Sequence, residues 1–160
     1  MNIPAFVTTL LLAAAPAAAQ HSDQHADMTR RGDAVMGFSH EKTTHHFRLR
    51  LDGGDIEITA DDPHDEESAS QIRGHLRHVT QMFGAGDFTA PFLIHSQDPP
   101  GTKVMAARKA EIAYALEPLP AGARVRIVAK TPEARAAVHE FLRFQITDHR
   151  TGDPLTIQQP

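Results

Sequence analysis

Four short runs of the chain alternate apolar and polar residues, and two longer runs repeat their apolar positions every three or four residues. Phe47-Arg-Leu-Arg-Leu51, Ile56-Glu-Ile-Thr-Ala60, Ile112-Ala-Tyr-Ala-Leu116 and Arg124-Val-Arg-Ile-Val-Ala-Lys130 carry the period of two that marks a half-buried strand. Asp52-Gly-Gly-Asp55 joins the first two as a hairpin, with glycine supplying the positive φ that a tight turn needs. The segment from Pro118 to Gly122 turns the second pair. A helix is predicted from Glu66 to Phe83, because Ile72, Leu76, Val79 and Phe83 fall on one stripe. The acidic and proline-containing run Asp61-Asp62-Pro63 precedes it, suited to the positive end of a helix dipole, and Gly84 and Gly86 stop it. A second helix runs from Pro132 to Asp148, with Thr131 as N-cap and proline at the first helical position, and Thr151-Gly-Asp-Pro154 ends it. Between the two halves lie a short apolar piece, Pro91 to His95, a rigid Pro99-Pro-Gly101 turn and one helical turn near Val104 to Arg108.

These elements repeat. Ile58-Thr-Ala-Asp-Asp-Pro63 matches Ile127-Val-Ala-Lys-Thr-Pro132, an offset of 69 residues. Leu76-Arg77 and Gly86-Asp87 match Leu142-Arg143 and Gly152-Asp153 at an offset of 66, a small insertion near His64 to Ser68 accounting for the difference. The pattern predicts an α+β fold: two ββα repeats forming a four-stranded antiparallel sheet with two helices packed on one face. Each hairpin has one apolar face, and its own helix has one apolar stripe to cover it.

The first nineteen residues differ from the rest. Phe6 to Ala15 is apolar and Ala17-Ala18-Ala19 offers a small-residue cleavage site, the pattern of a signal peptide over residues 1–19. That run is too short to span a bilayer, and no later segment approaches the required ~20 apolar residues. The expected product is therefore periplasmic or secreted, with no integral membrane segment in the mature chain. Residues 20–35 are polar and aperiodic and read as a flexible tail, residues 36–154 as the single duplicated domain, and 155–160 as a C-terminal tail. Cysteine is absent, so no disulfide staples the fold and any metal must be held by His, Met or carboxylates. A net charge of −4 argues against nucleic acid as a partner.

The eleven histidines change the picture most. Met36, His40, His45 and His46 stand within a dozen residues, and a thioether beside three imidazoles is a transition-metal composition. On the first strand His45 shares a face with Phe47, Leu49 and Leu51, so it points toward the helices, whereas His46 points to solvent. On the first helix His75, His78 and Met82 line one flank of the core stripe, where the second repeat has Phe141, Phe144 and Asp148. The candidate metal ligands are thus His45, His75 and His78, with His40 and Met36 closing the site, and Met82 and His95 in reserve. Imidazole plus thioether without thiolate favours copper, then zinc. Two other readings stand beside it. One is a non-enzymatic envelope interaction module, dimerising through the Phe141/Phe144 helix face. The other is a metal-assisted enzyme with His95 or His40 as base. No phosphate-binding glycine loop, Gly-x-Ser-x-Gly or His-Glu-x-x-His run occurs.

The runs Met36-Gly-Phe, Thr43-Thr-His-His-Phe47, Phe141-Leu-Arg-Phe-Gln-Ile146 and Thr151-Gly-Asp153 resemble a small family of exported bacterial proteins across roughly the whole mature chain. Some similar sequences carry an aspartate carbamoyltransferase label. The Ser-Thr-Arg-Thr type carbamoyl-phosphate loop of those enzymes is absent here, and the resemblance carries over no catalytic residue.

Overall fold

The alternating runs pair into one antiparallel sheet. In the computed structural model, which describes residues 17–159, β1 (Thr43–Arg50), β2 (Gly53–Ala60), β3 (Ile112–Leu119) and β4 (Gly122–Ala129) stand in the order β1-β2-β4-β3. Helices α2 (Glu66–Ala85) and α5 (Pro132–His149) cover one face, completing the expected α+β architecture. The apolar run of the expected signal peptide lies outside the described residues.

Local chemistry sets the helix ends. The Asp65 carboxylate accepts the Ser68 N–H at 2.9 Å to cap α2, and Thr131 caps α5 by accepting from Ala134 N–H. Gly86, at φ +80°, closes α2 in the left-handed region, donating to the Met82 and Phe83 carbonyls. Between the sheet and the helices lies a continuous core in which Leu49, Ile72, Val125, Ile127, Val138 and Leu142 are fully buried. The opposite face of the sheet is charged. There Asp55, only 1% exposed, takes hydrogen bonds from Arg48 and Arg50, and Glu57 takes them from Arg48 and Arg124.

Several details depart from the sequence pattern. The two glycines of Asp52-Gly-Gly-Asp55 do not form the hairpin turn; they are the first residues of β2. A Cβ on Gly53 would lie 2.3 Å from the Ile127 carbonyl oxygen, and one on Gly54 would lie 2.2 Å from Leu142 Cδ1. Close approach, not the turn, demands glycine there. Each helix also lies mainly over the other unit's hairpin: α2 packs chiefly on β3 and β4, and α5 packs most on β1. Residues 20–35, read from the sequence as a flexible tail, fall within a helix, α1 (Ala17–Met36), whose Met28 is 3% exposed. It packs on α3 (Thr89–His95), with the Arg31 guanidinium donating to the Ile94 carbonyl at 2.8 Å. A further short helix, α4 (Thr102–Ala107), packs on α5. The C-terminal segment is tied along the edge of β1, where Gln158 N–H donates to Leu49 C=O and the Asp153 carboxylate accepts from Phe47 N–H.

Of the expected Phe141/Phe144 dimer face, Phe141 is buried within the chain and Phe144 is half-buried. Phe141 is 2% exposed and meets Phe83 and Phe88 edge-on, at 5.8 and 6.2 Å between ring centres. Phe144 is half-buried against the His95 ring at 4.9 Å.

Candidate functional site

The histidines converge where β1 begins. Ser39 opens a single 3-10 turn, His40–Lys42, by accepting the Glu41 N–H, and that turn places His40 beside the first residues of β1. His45 enters from the helix-facing side of β1, as its alternation with Phe47 and Leu49 requires. His149 comes from the last turn of α5 and His95 from the last turn of α3. The centres of the His40, His45 and His149 rings form a triangle with sides of 4.9, 5.7 and 5.7 Å, and their planes lie within 20–23° of one another. His95 meets His149 edge-on at 5.1 Å.

Each outer ring has an acidic partner. Asp33, on α1, accepts from the backbone N–H of His40 at 2.9 Å and sits 2.6 Å from its Nδ1. A carboxylate there places the ring proton on Nδ1 and leaves Nε2 as the basic nitrogen. That Nε2 is buried and has no hydrogen-bond partner, and the same holds for Nε2 of His45. Gly32 makes the arrangement sterically possible, because a Cβ there would stand 2.3 Å from His40 Cε1. His95 differs: Asp148 lies 2.5 Å from its Nδ1 and Gln145 Oε1 lies 3.1 Å from its Nε2. Both nitrogens of His95 are therefore engaged, which removes it as a ready general base in this arrangement.

Two hollows flank the cluster. A pocket of about 240 Å³ is bordered by Met28, His40, His45, His149 and the threonines 29, 43, 44 and 151. A tighter cavity of about 60 Å³ reaches inward between Met36, His45, His75, His95 and His149. Burial holds the His45 imidazolium at a pKa of about 3, helped by the neighbouring His40, His75 and His46 and opposed by Asp33. Burial and then His78 lower His75 to about 4. Both rings are neutral at neutral pH, the state in which imidazole binds a metal.

Of the residues singled out in the sequence, Met36, His40, His45 and His75 border this region. The Phe38 ring links two of them, lying 6.2 Å from His45 and 5.6 Å from His75. His78 does not join; it is exposed on α2, one step around the helix from the buried stripe. Sequence pattern alone missed His149, Asp33 and Met28. A basic residue in the last turn of a helix is ordinary dipole compensation, so His149 carries no signal by itself. The other two sit in a segment without apolar periodicity. Among the described residues, no group of three or more His, Cys, Asp or Glu side chains is arranged to hold a metal ion as it stands. No protein-family model, curated protein or solved structure matches the chain.

Proposed function

We propose that this chain is an exported metal-handling protein that takes copper, and less readily zinc, at the imidazole cluster below α1. One observation carries the reading: His40 and His45 are neighbouring rings, 4.9 Å apart, that each keep a buried Nε2 without a hydrogen-bond partner. A buried polar atom left unpaired costs about 1–3 kcal/mol, so two side by side call for a ligand. The Asp33–His40 contact is the carboxylate–imidazole pairing that orients metal-binding histidines. Imidazole nitrogens ~2.0–2.1 Å from an ion set their ring centres roughly 5–5.5 Å apart, close to the size of the His40/His45/His149 triangle. The rings would have to turn out of their near-parallel arrangement to bring their nitrogens onto one ion.

Export to the periplasm or beyond rests on the N-terminal sequence pattern. Duplication of a ββα unit is supported by the sheet: Ile56 of β2 pairs with Val125 of β4, the residue 69 positions on, so the offset maps the central pairing onto itself.

Titration with Cu(I), Cu(II) and Zn(II) tests the proposal. Dissociation constants below ~10 μM are expected for copper, about 7 kcal/mol of binding. His45→Ala and His40→Ala should each weaken binding tenfold or more, while His78→Ala and His46→Ala leave it within twofold. If the two pairs of variants behave alike, the cluster is not where the ion sits.

A further inference from the structure

We infer that α1 supplies a ligand as well as a cover, and that Met28 is the soft donor that makes the site selective for Cu(I). The inference rests on the metal-binding reading above and names a residue and an oxidation state that the reading leaves open.

Two rings offer an unpaired nitrogen, His40 and His45. A pocket of about 240 Å³ is bordered by both, and Met28 stands on its wall. The thioether is almost wholly withdrawn from solvent, at 3% exposure. Its place on the helix aims it there. Met28 and Gly32 are four residues apart and so share one face of α1, and Gly32 is the residue against which the His40 ring packs. The same helix holds His40 through Asp33. One helix therefore presents a thioether on one turn and, on the next, a gap for an imidazole and the carboxylate that orients it.

The remaining donors on the wall are hard or already engaged. Thr43 Oγ1 donates to the Ser39 carbonyl, Thr44 Oγ1 to Asp61 and Thr151 Oγ1 to Asp153. A set of neutral imidazole nitrogens and a thioether, shielded from water and carrying no charge in its first shell, suits a monovalent soft ion better than a divalent one. Met36 also borders the cluster, but from the inner cavity, where His45 is present and His40 is not. The two methionines are eight residues apart, a rise of about 12 Å along α1, and Met28 is the one that shares a hollow with both His40 and His45.

The test compares the full mature chain with its Met28→Leu variant, a volume-conserving change that keeps the apolar packing. Cu(I) affinity is read by competition with bicinchoninate, and Zn(II) affinity by calorimetry. Cu(I) binding should weaken at least tenfold in the variant while Zn(II) binding stays within twofold. X-ray absorption of the Cu(I)-loaded wild type should show a sulfur scatterer, and this readout decides the matter if the variant folds poorly. Unchanged Cu(I) affinity, or copper surrounded by nitrogen and oxygen alone, overturns the role of Met28 while leaving the histidine site standing. A wild type that takes up none of the ions overturns both.

Discussion

At the scale of single residues, His45 and His75 are the informative side chains. Both are held neutral by burial, at pKa values of about 3 and about 4, whereas an unfolded chain titrates them near 6.5. The unfolded state therefore binds protons first as the pH falls. The stability that goes with the two neutral rings is complete above about pH 6.5 and drains away as the pH drops toward 4. Urea unfolding of the metal-free protein should show a midpoint that falls between pH 7 and pH 5, before carboxylates begin to titrate. A His45→Gln/His75→Gln double variant should flatten that slope. A wild-type midpoint constant over this window would mean the rings are not buried neutral. His45 was readable from its alternation with Phe47 and Leu49. His149 was not, since nothing in a helix-terminal histidine announces which side chain from another element it will meet.

Among the elements, β2 shows how a helix dictates a strand. Gly54 pairs with Leu49 on one side and Ile127 on the other, and Leu142 of α5 presses onto it. Gly54→Ala would set a Cβ 2.5 Å from the Arg48 carbonyl oxygen, a backbone atom unable to move aside. The expected cost is about 1–3 kcal/mol in thermal or denaturant unfolding. A variant as stable as wild type would show that β1 and α5 both draw back from Gly54 at little cost. A Gly-Gly pair between two strands has two physical uses, a turn and a close approach, and a linear pattern does not separate them. Helix α1 was hidden for a related reason. Its sequence is polar, and among its described side chains Asp33, Arg31 and Met28 tie it to other elements.

For the whole molecule, the consequence lies in which helix covers which hairpin. Because α2 packs chiefly on β3 and β4, and α5 most on β1, each ββα half leaves most of its apolar face to the other half's helix. A chain cut between the halves should give two fragments that are unfolded alone and regain structure when mixed. Circular dichroism on each fragment and on the mixture checks this, and a fragment that folds alone would contradict the exchange of helices. The candidate site inherits the same dependence. It draws His40 and His45 from the first half, His149 from the last turn of the second, His95 from the connection and Asp33 from α1.

Periodicity was enough to locate four strands and two long helices, and to arrange them as a sheet with one covered face, because each period reflects a single local requirement: one side of the element must leave water. The capping threonine at 131 and the glycine at 86 were equally legible, since a cap is satisfied within a few residues. Convergence is another matter. Whether Phe141 faces a second copy or Phe83, whether His78 or His149 reaches His45, and whether Met28 dangles or packs depend on residues far apart along the chain. Those choices are made when the helices settle on the sheet, where the shape and charge of the partner surface select among side chains that look alike in the linear chain.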